Sequence, residues 1–305
     1  MSSDSVTLVI GATGLLGGEV CRQMRALDPA RRVRALVRHD SDAAKVEALR
    51  GLGAEVVVGD LKDPASLVGA MAGVTHVIST ASSTLSRREG DTIDSVDRAG
   101  QLNAVSAARA AGVRQYVFVS FPPAEISFPL QDAKRAVEDA LRSSGVPYTI
   151  LQPAHFQEVW CSEALGFVAH EGRARIFGNG DGRLSWVSFL DVARVVVAAL
   201  DNPRALGRTF TFGGHEALSQ REVVAAFEKA TGRAFELEVV PRTALEEQHS
   251  TAEDALHKSF VALMLICDSH DYACDHADFE EAFDVERSTV HQFAQRVAAA
   301  RTDPG

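Results

Sequence analysis

Short apolar runs alternate with stretches of helical periodicity through the first half of the chain. Residues 6–10 (VTLVI), 32–37 (RVRALV), 54–58 (AEVVV), 75–80 (THVIST), 115–119 (QYVFV) and 147–151 (PYTIL) read as buried strands. Between them lie helical segments at 15–27, 43–49, 94–111 and 131–142, with Gly112 and Gly145 placed to end the last two. Strand followed by helix, repeated, predicts a parallel sheet covered on both faces, the doubly wound Rossmann class of α/β fold. Asp63 precedes Pro64 and a helical run, as an N-cap with proline at the first helical position.

The alternation weakens after about residue 153. The expected organisation is a nucleotide-binding domain over 1–153 and a smaller substrate-covering region over 154–305, with 184–214 partly returning to the first domain. In that return, 184–187 and 208–212 read as strands and 191–200 as a helix capped by Asp191. Ser219-Gln220-Arg221-Glu222 is a capping-box pattern for a helix ending at Gly232, and the last quarter is mainly helical.

The first strand runs into Gly11-Ala12-Thr13-Gly14-Leu15-Leu16-Gly17 and then into a helix. Such a turn suits a pyrophosphate: Gly11 allows the bend, Gly14 lets the backbone approach the anion, and Gly17 lets helix and strand pack closely. The wall of a dinucleotide site is therefore expected from Gly11, Thr13, Gly14, Leu15, Leu16 and Gly17. After the second strand stands Arg38, where an acidic residue would select NAD(H) and an arginine suits the 2′-phosphate of NADP(H). NADP(H) is the favoured cofactor, with NAD(H) open because Asp40 and Asp42 are near; a solvated strand-end arginine is the plain alternative. Asp60 and Leu61, at the carboxyl end of the third strand, are assigned to the adenine pocket. Thr80, Ala81 and Ser82, after the fourth, read either as the approach to the nicotinamide ribose or as a polar loop. Residues 86–91 are charged and expected at the surface.

Composition narrows the function classes. The 305 residues are 46% hydrophobic and 24% charged, with a net charge of −10, which argues against a nucleic-acid partner. No signal-peptide core and no membrane-length apolar run are present, and the four cysteines show no paired spacing. A cytoplasmic protein acting on a small molecule is expected, with a homodimer or a protein partner open. Cys267, His270, Cys274 and His276 lie close in sequence, but their spacing matches no standard zinc motif, and no metal site is assigned.

GATGLLG, VVVGDLKDP, QYVFVS, AKRAVEDALRSSGVPYTILQP and SWVSFLDVARVVVAAL, in that order, resemble the atypical short-chain dehydrogenase/reductases, and among them the NmrA-like NAD(P)-binding proteins. These include isoflavone reductase-type enzymes, quinone reductases and redox-sensing regulators. The likeness spans nearly the whole chain and is strongest through about residue 215. It implies a Rossmann domain with a small substrate domain, a loop after the sixth strand (here with Pro153 and Phe156) that meets the nicotinamide, and a lysine and a serine in the roles of Lys134 and Ser120. The usual tyrosine four residues before the lysine is absent: Leu130 stands there. Lys134 is the candidate to hold the ribose and move the proton; its alternative is a solvated pairing with Glu138 one turn on. His155 is a second candidate proton donor, with an ordinary pKa near 6.5, or a packed loop residue. Phe121, Phe128, Phe156, Trp160 and Trp186 favour an apolar or aromatic substrate, with core packing as the alternative for most of them. The expected activity is NADPH-dependent hydride transfer to a carbonyl, quinone or conjugated alkene; a non-catalytic NADP(H) sensor or assembly factor is the alternative.

Overall fold

A computed structural model describes residues 5–84, 88–268 and 272–300. The six early apolar runs form β1 (Val6–Ile10), β2 (Arg32–Val37), β3 (Glu55–Val58), β4 (His76–Ser79), β5 (Gln115–Val119) and β6 (Tyr148–Pro153). Six further strands follow: β7 (His155–Phe156), β8 (Arg173–Phe177), β9 (Arg183–Val187), β10 (Arg208–Phe212), β11 (Ala217–Ser219) and β12 (Glu236–Val240). The main sheet is seven-stranded in the order β10-β6-β5-β4-β1-β2-β3, and every pairing in it is parallel. This is the Rossmann arrangement. Successive β1 residues face opposite sides of the sheet: Val9 joins Val20, Met24 and Val196 on one side, and Leu8 and Ile10 join Leu67, Phe118 and Val137 on the other. The order reverses between β1 and its neighbours β2 and β4, so a crevice opens at their carboxyl ends.

The helices start and stop where local chemistry directs. In α1 (Leu15–Leu27), Leu16, Val20 and Met24 recur every fourth residue and point into the core. After α2 (Ala43–Gly51), α3 (Pro64–Ala70) begins as expected: the Asp63 carboxylate accepts from the Ala65 N–H at 3.0 Å, with Pro64 in the first turn. The helix expected over 94–111 is in fact two pieces. Ile93–Gly100 is π-helical and α4 (Gln101–Ala111) is regular, closing at Gly112 with φ +64°. Apolar spacing does not separate wide turns from ordinary ones. On the same face of the sheet, packed beside α4, α5 (Pro129–Ser144) carries Lys134.

Two expectations beyond residue 153 are corrected. The strand Arg183–Val187 does not rejoin the main sheet: it pairs antiparallel with β11 and parallel with β7 in a separate three-stranded sheet. β10 does join the main sheet, beside β6. The following helix is Phe189–Ala199 and its cap is Ser188, whose hydroxyl accepts from Leu190 N–H at 3.2 Å. Asp191 is instead fully buried in the first turn, accepting from the Ser288 N–H at 2.6 Å, because the C-terminal segment crosses over it. The helix Ala255–Cys267 lays Ala262 and Ile266 against Phe128, Leu130 and Ala133 at the start of α5. A further core, with Phe177, Trp186, Phe227 and Phe293, holds the remaining strands and helices together. No described helix is long and apolar enough to cross a membrane.

Candidate active site

One cleft of about 650 Å³ runs along the carboxyl ends of the main-sheet strands. Gly11, Thr13, Gly14, Leu15, Leu16 and Gly17 line one end, with Arg38, Asp60 and Leu61 beside them. Thr80, Ala81, Ser82, Ser120 and Lys134 line its middle, and Pro153, His155 and Phe156 its other end. The fold thus brings every residue assigned from the sequence to the cofactor or to catalysis to one cleft.

At the glycine end the backbone leaves no room for side chains. Gly11 has φ +89°, and a Cβ there would stand 2.8 Å from the Ala81 nitrogen and the Thr80 hydroxyl. A Cβ on Gly17 would stand 2.2 Å from the Gly11 carbonyl oxygen. The first turn of α1 follows Gly14 with no side-chain cap, so its N–H groups face the cleft end as anion donors. This geometry fits a pyrophosphate.

Beyond the turn, the Arg38 guanidinium pairs with Asp91, and Lys62 reaches the same carboxylate at 2.8 Å. The Asp91 side chain is only 1% exposed, against the expectation of a surface segment, because these two cations close over it. Residues 85–87 of that segment lie outside the described residues. Lys45 and Arg88 also line this end, so with Arg38 three cations line it beside Asp42, Asp60 and Asp91. Lys45 and Arg88 were missed in the sequence, where nothing marks an exposed cation as facing a cleft. The Asp60 carboxylate accepts from the Lys62 N–H at 2.8 Å.

In the middle, Lys134 is buried. Its Nζ lies 3.4 Å from the Val119 carbonyl oxygen, 3.7 Å from Asp97 Oδ1 and 5.0 Å above the Phe118 ring. Burial lowers its pKa, and the Asp97 carboxylate opposes that shift. The alternative of a solvated Lys134–Glu138 pair does not hold. Glu138 is itself buried and accepts from Arg135 at 3.0 Å, Arg142 at 3.1 Å and Gln152 at 2.9 Å. Asp97, in the π-helical turn, is fully buried; its Oδ2 accepts from the Ser83 N–H at 2.9 Å and hydroxyl at 2.6 Å. Ser120 Oγ accepts from Arg135 at 3.1 Å, and Arg135 also donates to the Phe121 carbonyl. Asp97 and Arg135 were not read from the sequence; an acidic residue inside an otherwise apolar helix face was the available signal for Asp97.

Aromatic residues form the far end. Leu130, at the place where the tyrosine is missing, lines the cleft, and Tyr272 packs against the same apolar cluster. Tyr272 is distant in sequence, yet the fold brings its ring to the cleft. Its hydroxyl donates toward the Pro122 and Pro123 carbonyls at 3.0 and 2.8 Å, and burial raises its pKa. His155 is buried against Trp160, Trp186 and Tyr272, with ring centroids 5.2, 5.9 and 6.0 Å away. Neither ring nitrogen has a hydrogen-bond partner. Desolvation lowers its pKa from 6.5 to about 4, so the ring is neutral at neutral pH. The expected imidazolium donor with a pKa near 6.5 is therefore corrected: what remains is one N–H and one lone pair. Phe121, Phe156, Trp160 and Phe260 line this end, whereas Phe128 and Trp186 are core.

Among the described residues no three His, Cys, Asp or Glu side chains are grouped to hold a metal ion. Cys267 is buried and donates to the Leu263 carbonyl of its own helix, and His270 lies outside the described residues.

The model of the NmrA-like family matches residues 3–294. Over 236 residues the chain is 31% identical to the photosystem II assembly factor Ycf39 of Trieres chinensis, covering 77% of this chain and 72% of that protein. Over 228 residues it is 31% identical to the NAD(P)H azoreductase of Xenophilus azovorans, covering 74% of each. Among solved structures, the NADPH-dependent quinone oxidoreductase of Escherichia coli in complex with NADPH aligns with a TM-score of 0.77 at 22% identity, over 96% of this chain and 99% of that one. That last likeness is one of fold.

Proposed function

This chain belongs to the NmrA-like family, and from that premise we propose that it is a reductase using NADP(H) to deliver hydride to a planar aromatic or conjugated acceptor: a carbonyl, quinone or alkene. The observation that carries the reading is the continuity of one cleft, from a glycine turn with no room for a Cβ, past a buried Lys134–Asp97 pair, to an aromatic wall. The azoreductase relative and the quinone oxidoreductase of like fold support the same class.

In this reading the backbone between Gly11 and Gly17 holds the pyrophosphate, and Arg38, with Lys45 and Arg88, attracts the 2′-phosphate. Thr80, Ala81, Ser82 and Pro153 border the ribose and nicotinamide. Residues 1–153 make up the nucleotide side, and 154–305 supply most of the cover over the acceptor. NADPH, when bound, supplies the hydride. Lys134 holds a proton close to the cleft, and its lowered pKa makes that proton easier to release to an acceptor gaining negative charge. Asp97 keeps the ammonium charged and in place. Ser120, fixed by Arg135, presents its hydroxyl to the acceptor. His155 is neutral and takes no part as an acid.

The test is NADPH oxidation over a panel of quinones, enones, aromatic ketones and azo compounds, with wild type beside Lys134→Met. At least one acceptor is expected to be reduced, and the variant to turn over about 100-fold more slowly with its fold intact by circular dichroism. Full turnover in Lys134→Met would remove the lysine from the mechanism. The second reading, a non-catalytic NADP(H)-binding assembly or sensor protein, draws on Leu130 in the tyrosine's place and on the assembly-factor relative. Tight NADPH binding with no turnover on any acceptor, and a cofactor-dependent protein partner in pull-downs, would favour it over the first.

A further inference from the structure

His155 departs from what the rest of the far wall does. Phe121, Phe156, Trp160 and Phe260 offer ring faces and edges there. Two polar groups close to His155 are committed elsewhere: the Trp186 indole N–H donates to the Leu218 carbonyl at 2.8 Å, and the Tyr272 hydroxyl to Pro122 and Pro123. Both imidazole nitrogens are buried without a partner, and His155 is the cleft-lining residue among the described ones of which that is true. A buried polar group left unpaired is costly, and a phenylalanine here would fill similar space without that cost. The ring is also held in place. β7 pairs it in register with Trp186, and Trp160 and Tyr272 flank it. What a histidine adds at this place is a hydrogen-bonding group without a protein partner, on a residue that lines the cleft.

We infer that His155 is the specificity-determining contact of the substrate end, donating a hydrogen bond from its neutral imidazole to a ring carbonyl oxygen of a planar aromatic acceptor lying against Phe156, Trp160 and Tyr272. The inference rests on the reductase reading for the word acceptor, but the binding contact stands or falls by itself. It narrows the substrate class from apolar aromatics in general to those with an oxygen on the ring system. The unreduced acceptor docks through that oxygen, and His155 gives up no proton.

The two tryptophans of the chain, Trp160 and Trp186, both flank His155, so intrinsic tryptophan emission reports on this pocket directly. The experiment titrates the protein loaded with NADP+, which cannot give hydride, with menadione, which has ring carbonyls, and with methylnaphthalene, which has the same shape without them. Menadione is expected to bind about tenfold more weakly to His155→Phe than to wild type, while methylnaphthalene binds both equally and NADPH affinity is unchanged. His155→Gln, which restores an N–H donor, is expected to recover part of the loss. Should the phenylalanine variant fail to fold, the wild-type preference for menadione over methylnaphthalene, kept in His155→Gln and lost in His155→Leu, gives the same answer. Equal menadione affinity in wild type and His155→Phe, or an equal loss for both probes, overturns the inference. Turnover of menadione with an unchanged KM in His155→Phe would sink this contact and leave the reductase reading standing. His155-dependent binding without turnover on any acceptor would do the reverse.

Discussion

The two ends of the cleft are made in opposite ways. The glycine end is one continuous stretch, in which the shape comes from atoms that are missing: Gly11 and Gly17 leave space that no Cβ can share. The aromatic end is assembled from side chains on β7 and, about a hundred residues further on, on the helix Ala255–Cys267 and at Tyr272. A site written by steric exclusion within the seven residues from Gly11 to Gly17 tolerates almost no change and announces itself in the sequence. A site written by side chains gathered over long range admits substitution, so the acceptor can differ between relatives while the cofactor end stays the same.

The sharpest way to break this contrast is Gly17→Ala. The added methyl would lie 2.2 Å from the Gly11 carbonyl oxygen, a backbone atom that moves only if the turn opens. NADPH affinity is expected to fall by about 100-fold or more, measured by nicotinamide fluorescence, with tryptophan emission from the far end unchanged. Gly18→Ala is the control, since its methyl would meet the Ala12 carbonyl oxygen at 3.3 Å, a contact small shifts relieve. Wild-type affinity in Gly17→Ala would mean that the turn is not rigid and that the contrast between the ends is not one of steric exclusion.

The same contrast explains what could be read before the structure. Local signals were legible: the strand–turn–helix at Gly11–Gly17, the Asp63 cap and the Ser219–Glu222 capping box all form as their residue types dictate. The exchange of Asp191 for Ser188 as a cap was not, because Asp191 is claimed by Ser288 almost a hundred residues on. Asp97 beside Lys134 depends on a π-helical turn that leaves the apolar pattern nearly unchanged. Tyr272 needed the tertiary fold to reach the cleft at all. Glu138 was misassigned for a related reason: helical spacing showed it one turn from Lys134 but not that Arg135, Arg142 and Gln152 would take it.

A smaller effect, confined to the far end, is the acid sensitivity that His155 builds in. Its pKa is 6.5 when unfolded and about 4 when folded, the cause being burial. Between those values the unfolded chain takes up a proton that the folded chain refuses. Stability is therefore fully present above about pH 6.5, falls as the pH drops, and levels off below about pH 4, a loss on the order of a few kcal/mol. In His155→Phe that contribution disappears, so Tm should decline less between pH 6.5 and 4 than in wild type. The slope will not vanish, since burial also lowers the pKa of His76 and His276. Parallel Tm curves for the two proteins would show that the imidazole is reached by solvent.

The smallest effect expected is at Arg38, where the glycine end itself gives way from backbone to side chain. Arg38 faces both the cleft and the Asp91 carboxylate, so its removal could act on the fold or on the cofactor. Asp91 keeps Lys62 at 2.8 Å, and its charge stays compensated in Arg38→Ala. Unfolding is thus not the expected outcome. In the proposed reading the variant loses a charge-assisted hydrogen bond to the 2′-phosphate, about 1.5–3 kcal/mol where nothing replaces it, reduced here because Lys45 and Arg88 line the same end. NADPH affinity should fall about tenfold and NADH affinity should barely move, so that the ratio of the two, measured on one preparation, carries the result. An equal loss for both cofactors would mean that Arg38 orders the β2 end rather than reading the phosphate. An unchanged ratio would move the selectivity to Lys45 and Arg88, and the boundary between the two kinds of site would then lie inside the adenosine pocket.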